Sequence, residues 1–288
     1  MSVEGLMGSD SVFAPELMAL RPHPGQAAAA ANITTVMGGS PIRASHDGEE
    51  CRIVQDAYSL RCSPQVLGGA RDTLAHAELV ATRELAAAVD NPAVVGDQVE
   101  SNGNFHGAPV AYVLDFLAIV AADVASMSER RTDRFLDAAR NHGLPPFLAD
   151  DPGVDSGHMI AQYTQAALVS EMKRLAAPAS VDSIPSSAMQ EDHVSMGWSA
   201  GRKLRTSMDA LARVISVEVL TAARGIALRA PLKPSPASEA VLTQLRADGW
   251  EGPGPDRYLS PEMALAFDLV ASGRLVDMVQ SVTGPLRG

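Results

Sequence analysis

An all-α fold, built as a bundle of long helices, is what this sequence predicts on three observations. Hydrophobic residues fill 46% of the 288 positions but aromatics only 4%. The core must then come largely from alanine, leucine and valine, which favours close helix packing over sheets. Proline is absent from four long windows, 65–91, 110–144, 153–177 and 186–230, and such windows are where helices can run uninterrupted. Within the second and fourth, apolar residues recur at the i, i+3, i+4, i+7 spacing of one helix face.

Taken in order, residues 1–20 hold loop and short helical signals without a convincing opening element. Residues 22–32 (PHPGQAAAAAN) already resemble the interior of a domain. The chain is therefore expected to begin partway through a folding unit. Residues 36–52 and 92–107 carry Gly, Pro, Asn and Asp at loop frequency. Val110, Val113, Leu114, Leu117, Val120, Ala121, Val124 and Met127 mark a helix face, continued by the polar run 128–134 and stopped at 142–146. Residues 178–187 read as a linker. Leu204, Met208, Leu211, Ile215, Val219, Ala222 and Ile226 then predict a helix over about 194–229, roughly 50 Å long at 1.5 Å per residue. After the Gly-Pro break at 252–256, Ser260, Pro261 and Glu262 read as N-cap, first position and first-turn acid of a new helix. The expected organisation is a bundle over 1–231 that carries the functional loops, and a small helical part over 232–288.

The 23 basic and 34 acidic side chains leave a net charge of −11, which argues against a nucleic-acid partner. Cys51 and Cys62 are the two cysteines, too few for a disulfide framework or a four-cysteine zinc site, and are read as reduced thiols. The seven histidines never pair at i, i+4, so no metal site is expected. Neither a secretory leader nor an uncharged apolar run of about 18 residues is found, so no membrane association and a cytoplasmic location are expected. The nucleophile elbow, the phosphate loop and the H-E-x-x-H zinc motif do not occur.

Three polar clusters interrupt the apolar pattern. Gln55-Asp56-Ala57-Tyr58-Ser59-Leu60-Arg61 can place a phenol and a guanidinium on one turn, where the guanidinium can hold a carboxylate bidentately. It reads equally as a surface turn. Ser101-Asn102-Gly103-Asn104-Phe105-His106-Gly107 can offer Phe105 to a planar ligand, or can be a loop and helix cap with Phe105 as a staple. Gln190-Glu191-Asp192-His193 can be an acid–base group beside an imidazole, or two carboxylates favoured by a helix N-terminus.

Together with LPPFL (144–148), SGHMIAQYTQAALVSEMK (156–173) and PASVDSIPSSAMQEDHVSMG (178–197), the strings VQDAYSLRCSPQVLG (54–68) and SNGNFHGAPVAY (101–112) resemble the aromatic amino acid lyases. This is an all-α family akin to fumarase and aspartase. The resemblance runs from about Val3 to the C-terminus in the family's own order. QEDHVSMG points to the family's histidine enzymes, because an acidic side chain can hydrogen-bond an imidazole and a phenyl ring needs no such partner. Many members have Asn where Met189 stands here.

The resemblance implies a role for each matched position. Tyr58 is a catalytic residue near the substrate's α- and β-carbons and a candidate base. Arg61 clamps the substrate carboxylate with help from Gln55. Phe105 packs against the prosthetic group, and Glu191 contacts the imidazole or itself removes the β-proton. The prosthetic group is 4-methylidene-imidazol-5-one (MIO), formed from an internal Ala-Ser-Gly that lies ahead of the region this chain resembles. The chain's own Ala271-Ser272-Gly273 reads instead as the last turn and glycine cap of a short helix. The implied activity is deamination of the small-molecule substrate L-histidine to trans-urocanate and ammonia. The chain would act as the C-terminal part of a split or truncated enzyme, with an N-terminal part supplying the electrophile in a homotetramer. The alternatives are a tyrosine or phenylalanine lyase, an aminomutase, and a non-catalytic helical subunit derived from a lyase.

Overall fold

The computed structural model describes residues 1–46 and 54–288, so Cys51 lies outside the described residues. The N-terminal helices are α1 (Ser2–Gly5), α2 (Pro15–Ala19), α3 (Pro24–Met37), α4 (Pro41–Ala44), α5 (Tyr58–Arg61) and α6 (Ser63–Leu85). A hairpin of β1 (Ala93–Val95) and β2 (Gln98–Glu100) follows, then α7 (Ala108–Leu136), α8 (Met159–Leu175) and α9 (Gly197–Ala227). The chain ends with α10 (Pro236–Ala247), α11 (Ser260–Ala271) and α12 (Arg274–Thr283). The fold is all-α, as the alanine-rich, proline-sparing windows predict.

Helices α7 and α9 lie side by side and parallel. Gly197 sits against Ala111 at one end, Lys203 pairs with Asp115, and Glu218 pairs with Arg131 towards the other. Helix α8 runs the opposite way, since its early Gln162 meets Glu129 while Ser180, just past its end, donates to Asp115. The contact among the three is made of small and branched side chains, with Ala121, Ala125, Val169, Met172 and Val214 in one buried cluster. That is where the alanine content is used: small side chains let helix backbones approach closely. Helix α7 is, among the described residues, the one helix long and apolar enough to cross a membrane. Here it is the central helix of the bundle, with Asp115 and Glu129 buried on it.

Two backbones touch where α3 crosses α6. A Cβ at Gly68 would lie 2.3 Å from the Gln26 backbone nitrogen, and Gly25 N donates to Asp72 Oδ1 across the same crossing. Gly68→Ala must push the helices apart, an overpacking cost of about 1–3 kcal/mol. The expected result is a lower urea midpoint with an unchanged slope.

Five details differ from the expectations. Helix α7 ends at Leu136, ahead of the stop expected at 142–146. Residues 1–20 form short helices with a buried function: Glu4 accepts from the hydroxyls of Ser40 and Ser238 and from Ser235 N. Two of these serines cap α4 and α10, so one buried carboxylate is satisfied at two helix N-termini. Helices this short leave no periodicity to read. Residues 93–100, expected as loop, form the hairpin, turned at Gly96 with φ +66°. Helix α9 starts at Gly197 rather than 194, which leaves Glu191 and Asp192 well ahead of it. Ser260 is the first residue of α11 and makes no side-chain cap bond.

Candidate active site

The first cluster sits on one helical turn. Leu60 of α5 is buried beside Leu6, Phe13 and Phe135, and Arg131 Nη1 donates to the Ser59 carbonyl. Anchored from below, the turn leaves Tyr58 70% exposed. The Arg61 guanidinium carbon lies 5.0 Å from the Tyr58 ring centroid, a cation–π distance. Arg61 Nε is buried without a hydrogen-bond partner. Arg61 and Gln55 line a cavity of about 370 Å³ together with Ser9, Ser11, Arg43 and His46. A carboxylate entering it would meet the side chains of Arg61 and Gln55. Ser9, Arg43 and His46 were not singled out from the sequence, because nothing local links them to residues 55–61.

The second cluster is an ordered loop at the start of α7. Asn91 Oδ1 accepts from Asn102 N, and Asn102 Oδ1 accepts from Asn104 N, each at 2.8 Å. Phe105 is 58% exposed, so it does not staple the helix; its ring is presented outward.

The third cluster is held by an unusual backbone. Ser187, Ala188 and Met189 all have positive φ (51°, 52° and 72°), a left-handed turn that costs non-glycine residues of order 1 kcal/mol each. Sequence gives no warning of it, since no glycine is present. Ser186 and Glu191 close the turn as an antiparallel bridge, and Ser186 Oγ donates to Glu191 Oε2 at 2.6 Å. The hydroxyls of Ser186 and then Ser187 hold the Glu191 carboxyl below the ordinary carboxylate range. Glu191 is therefore an ionised hydrogen-bond acceptor at neutral pH, suited to an imidazole N–H and a weak base towards carbon. In Ser186→Ala the Glu191 titration, followed by carboxyl-carbon NMR, is expected to move up towards the ordinary value.

The chain brings the second and third clusters together and keeps the first apart. His106 Nε2 lies 3.3 Å from both Nδ1 and the carbonyl oxygen of His193. The Tyr58 cluster instead joins α7 through Arg131, 23 residues beyond the helix start at Ala108. At 1.5 Å per residue that is about 35 Å along the helix, too far for Tyr58 and Phe105 of one copy to touch one small substrate.

Ala271-Ser272-Gly273 is a helix end. Gly273 is left-handed at φ +79°, and Ser272 Oγ donates to the Asp268 carbonyl. An exposed cap of this kind offers none of the compression needed to cyclise a tripeptide, so it does not fit as the source of a prosthetic group. The outward ring of Phe105 does fit as a surface for a planar one. Among the described residues no group of three or more His, Cys, Asp or Glu is placed to hold a metal ion.

A model of the aromatic amino acid lyase family matches residues 1–247. Histidine ammonia-lyase of Streptomyces avermitilis is 67% identical over 287 residues, covering 99% of this chain and 56% of that protein. The chain thus spans about half the length of the curated relatives it matches. Among solved structures, histidine ammonia-lyase from Trypanosoma cruzi superposes with a TM-score of 0.87 at 37% identity, covering 98% of this chain and 52% of that one. Tyrosine aminomutase from Streptomyces globisporus superposes with a TM-score of 0.91 at 34% identity, covering 99% and 58%.

Proposed function

Because this chain belongs to the aromatic amino acid lyase family, we propose that it is the C-terminal part of a histidine ammonia-lyase and converts L-histidine to trans-urocanate and ammonia once joined by an N-terminal part. The observation that carries this is Glu191, an ionised acceptor held by Ser186 in a string matching the family's histidine enzymes. Arg61 and Gln55 bind the substrate carboxylate in their shared cavity. Glu191 orients the imidazole. Tyr58, on the same turn as Arg61, is the base, its phenolate oxygen taking the β-proton; Glu191 is the alternative base. Phe105 packs against MIO, which supplies an electron sink for the departing amine when bound and comes from the N-terminal part. The separation of the Tyr58 and Phe105 clusters along α7 supports sites shared between copies, as in a homotetramer.

Coexpression with an N-terminal lyase portion bearing Ala-Ser-Gly is expected to yield a complex with near-ultraviolet absorbance and urocanate formation. A complex with neither overturns the proposal. Glu191→Gln removes a charge-assisted hydrogen bond worth about 1.5–3 kcal/mol, and is expected to lower kcat/KM for histidine 10- to 100-fold. Were the complex a tyrosine or phenylalanine enzyme or an aminomutase, that variant would leave activity on the aromatic substrate nearly intact.

A further inference from the structure

We propose that His106 and His193 are positioning residues, a two-imidazole latch that holds the Phe105 loop and the Glu191 loop in register. The two rings are 87 positions apart in sequence, stacked at 20° with centroids 5.3 Å apart. A neutral imidazole donates from one nitrogen and accepts at the other. His106 Nε2 faces both Nδ1 and the carbonyl oxygen of His193; protonated there it donates to either, and unprotonated it accepts from His193 Nδ1–H. The chain segments also approach closely here: a Cβ at Gly107 would lie 3.2 Å from the Ser195 side-chain Oγ, and one at Gly197 would lie 3.6 Å from the Gly107 carbonyl oxygen. Among the described residues, the hydrogen bonds between these two loops are those of this pair.

The left-handed turn at Ser187–Met189 is why a latch is needed. Strained backbone persists only where its surroundings over-determine it. From within, the Ser186–Glu191 bridge and the Val194 N–Ser183 Oγ bond restrain the loop. Towards α7, Ser180 N ties the start of the loop to Asp115, and the His106–His193 contact ties the part that carries Glu191 to the Phe105 loop. Releasing it lets Glu191 drift relative to Phe105, and hence the imidazole relative to the electrophile. The carboxylate clamp at Arg61 lies at the other end of α7 and is untouched. The consequence is therefore a loss of orientation in the reacting complex, not of ground-state affinity.

This inference rests on the lyase proposal for its kinetic consequence, though not for the latch itself. In the assembled enzyme, His106→Leu is expected to lower kcat 10- to 100-fold, with KM for histidine within about 3-fold. Thermal midpoint and near-ultraviolet absorbance should be retained. His106→Gln keeps a donor and should recover most of kcat. The His106→Leu/His193→Leu double variant should be no slower than the slower single one, because the two act through one contact. Full kcat in His106→Leu, or single effects that multiply in the double variant, would overturn the latch. Ring nitrogen resonances of His193 in the full chain provide a readout free of activity and should shift in His106→Leu; an unmoved spectrum also overturns it. An inactive wild-type assembly would sink the lyase proposal instead, with the His193 resonances still deciding the latch.

Discussion

In the assembled enzyme, Tyr58→Phe is expected to lower kcat for histidine about 10²- to 10⁴-fold, the range for removing a positioned proton-transfer group. KM should stay within a few-fold. The substitution deletes one hydroxyl and leaves the ring beneath the Arg61 guanidinium, and Leu60 still anchors the turn from the core. The cavity formed by Arg61 and Gln55 therefore keeps its shape and its hold on a carboxylate. What is lost is a proton acceptor at the β-carbon. Steady-state kinetics decide the assignment: a Tyr58→Phe enzyme within tenfold of wild type, beside a Glu191→Gln enzyme that has lost kcat, would move the base to Glu191.

The largest stability effect is expected at Glu218. Its carboxylate receives Arg131 Nε at 2.5 Å and Nη2 at 2.8 Å, and the hydroxyls of Ser2 and Ser128 complete its hydrogen bonds. Burial alone would raise its pKa; the Arg131 charge and these hydrogen bonds outweigh burial and hold the carboxyl below its ordinary value. Glu218→Gln leaves the Arg131 guanidinium in the interior without its counter-charge, which costs about 3–5 kcal/mol. The test is a urea titration at neutral pH. The pH dependence has a definite sign. A carboxyl whose folded pKa is depressed adds stability above its unfolded pKa, and that stability is lost as pH falls through the folded value. Wild type should therefore weaken increasingly below about pH 4.5, and Glu218→Gln should lack this group's share of the decline. A variant as stable as wild type would show that the pair adds nothing.

The helical framework was legible because its causes are local. Proline-free windows located α6, α7, α8 and α9, and the 3.6-residue apolar period marked α7 and α9. Helix α9 was placed within three residues at each end, whereas the other windows overshoot their helices by about six to eight. Short elements escaped: α1, with Glu4 at two helix N-termini, has no period to detect, and the hairpin at 93–100 was masked by loop composition. The misplaced start of α9 has a physical cause too. Val194 N donates back to the Ser183 hydroxyl, so the chain here still belongs to the preceding loop, and the helix begins at Gly197.

The sequence by itself determined that long alanine-rich helices would pack into a bundle, and which polar side chains interrupt them. Both follow from interactions within a few residues: backbone hydrogen bonding, proline sterics and side-chain periodicity. Only the tertiary structure decided that Arg61 and Gln55 share a cavity with Ser9, that His106 meets His193, and that Tyr58 lies a helix length from Phe105. It alone set Ser187–Met189 left-handed. These outcomes depend on which helix faces bury against each other, a choice made by contacts between residues 30 to more than 200 positions apart, over which local propensity has no hold.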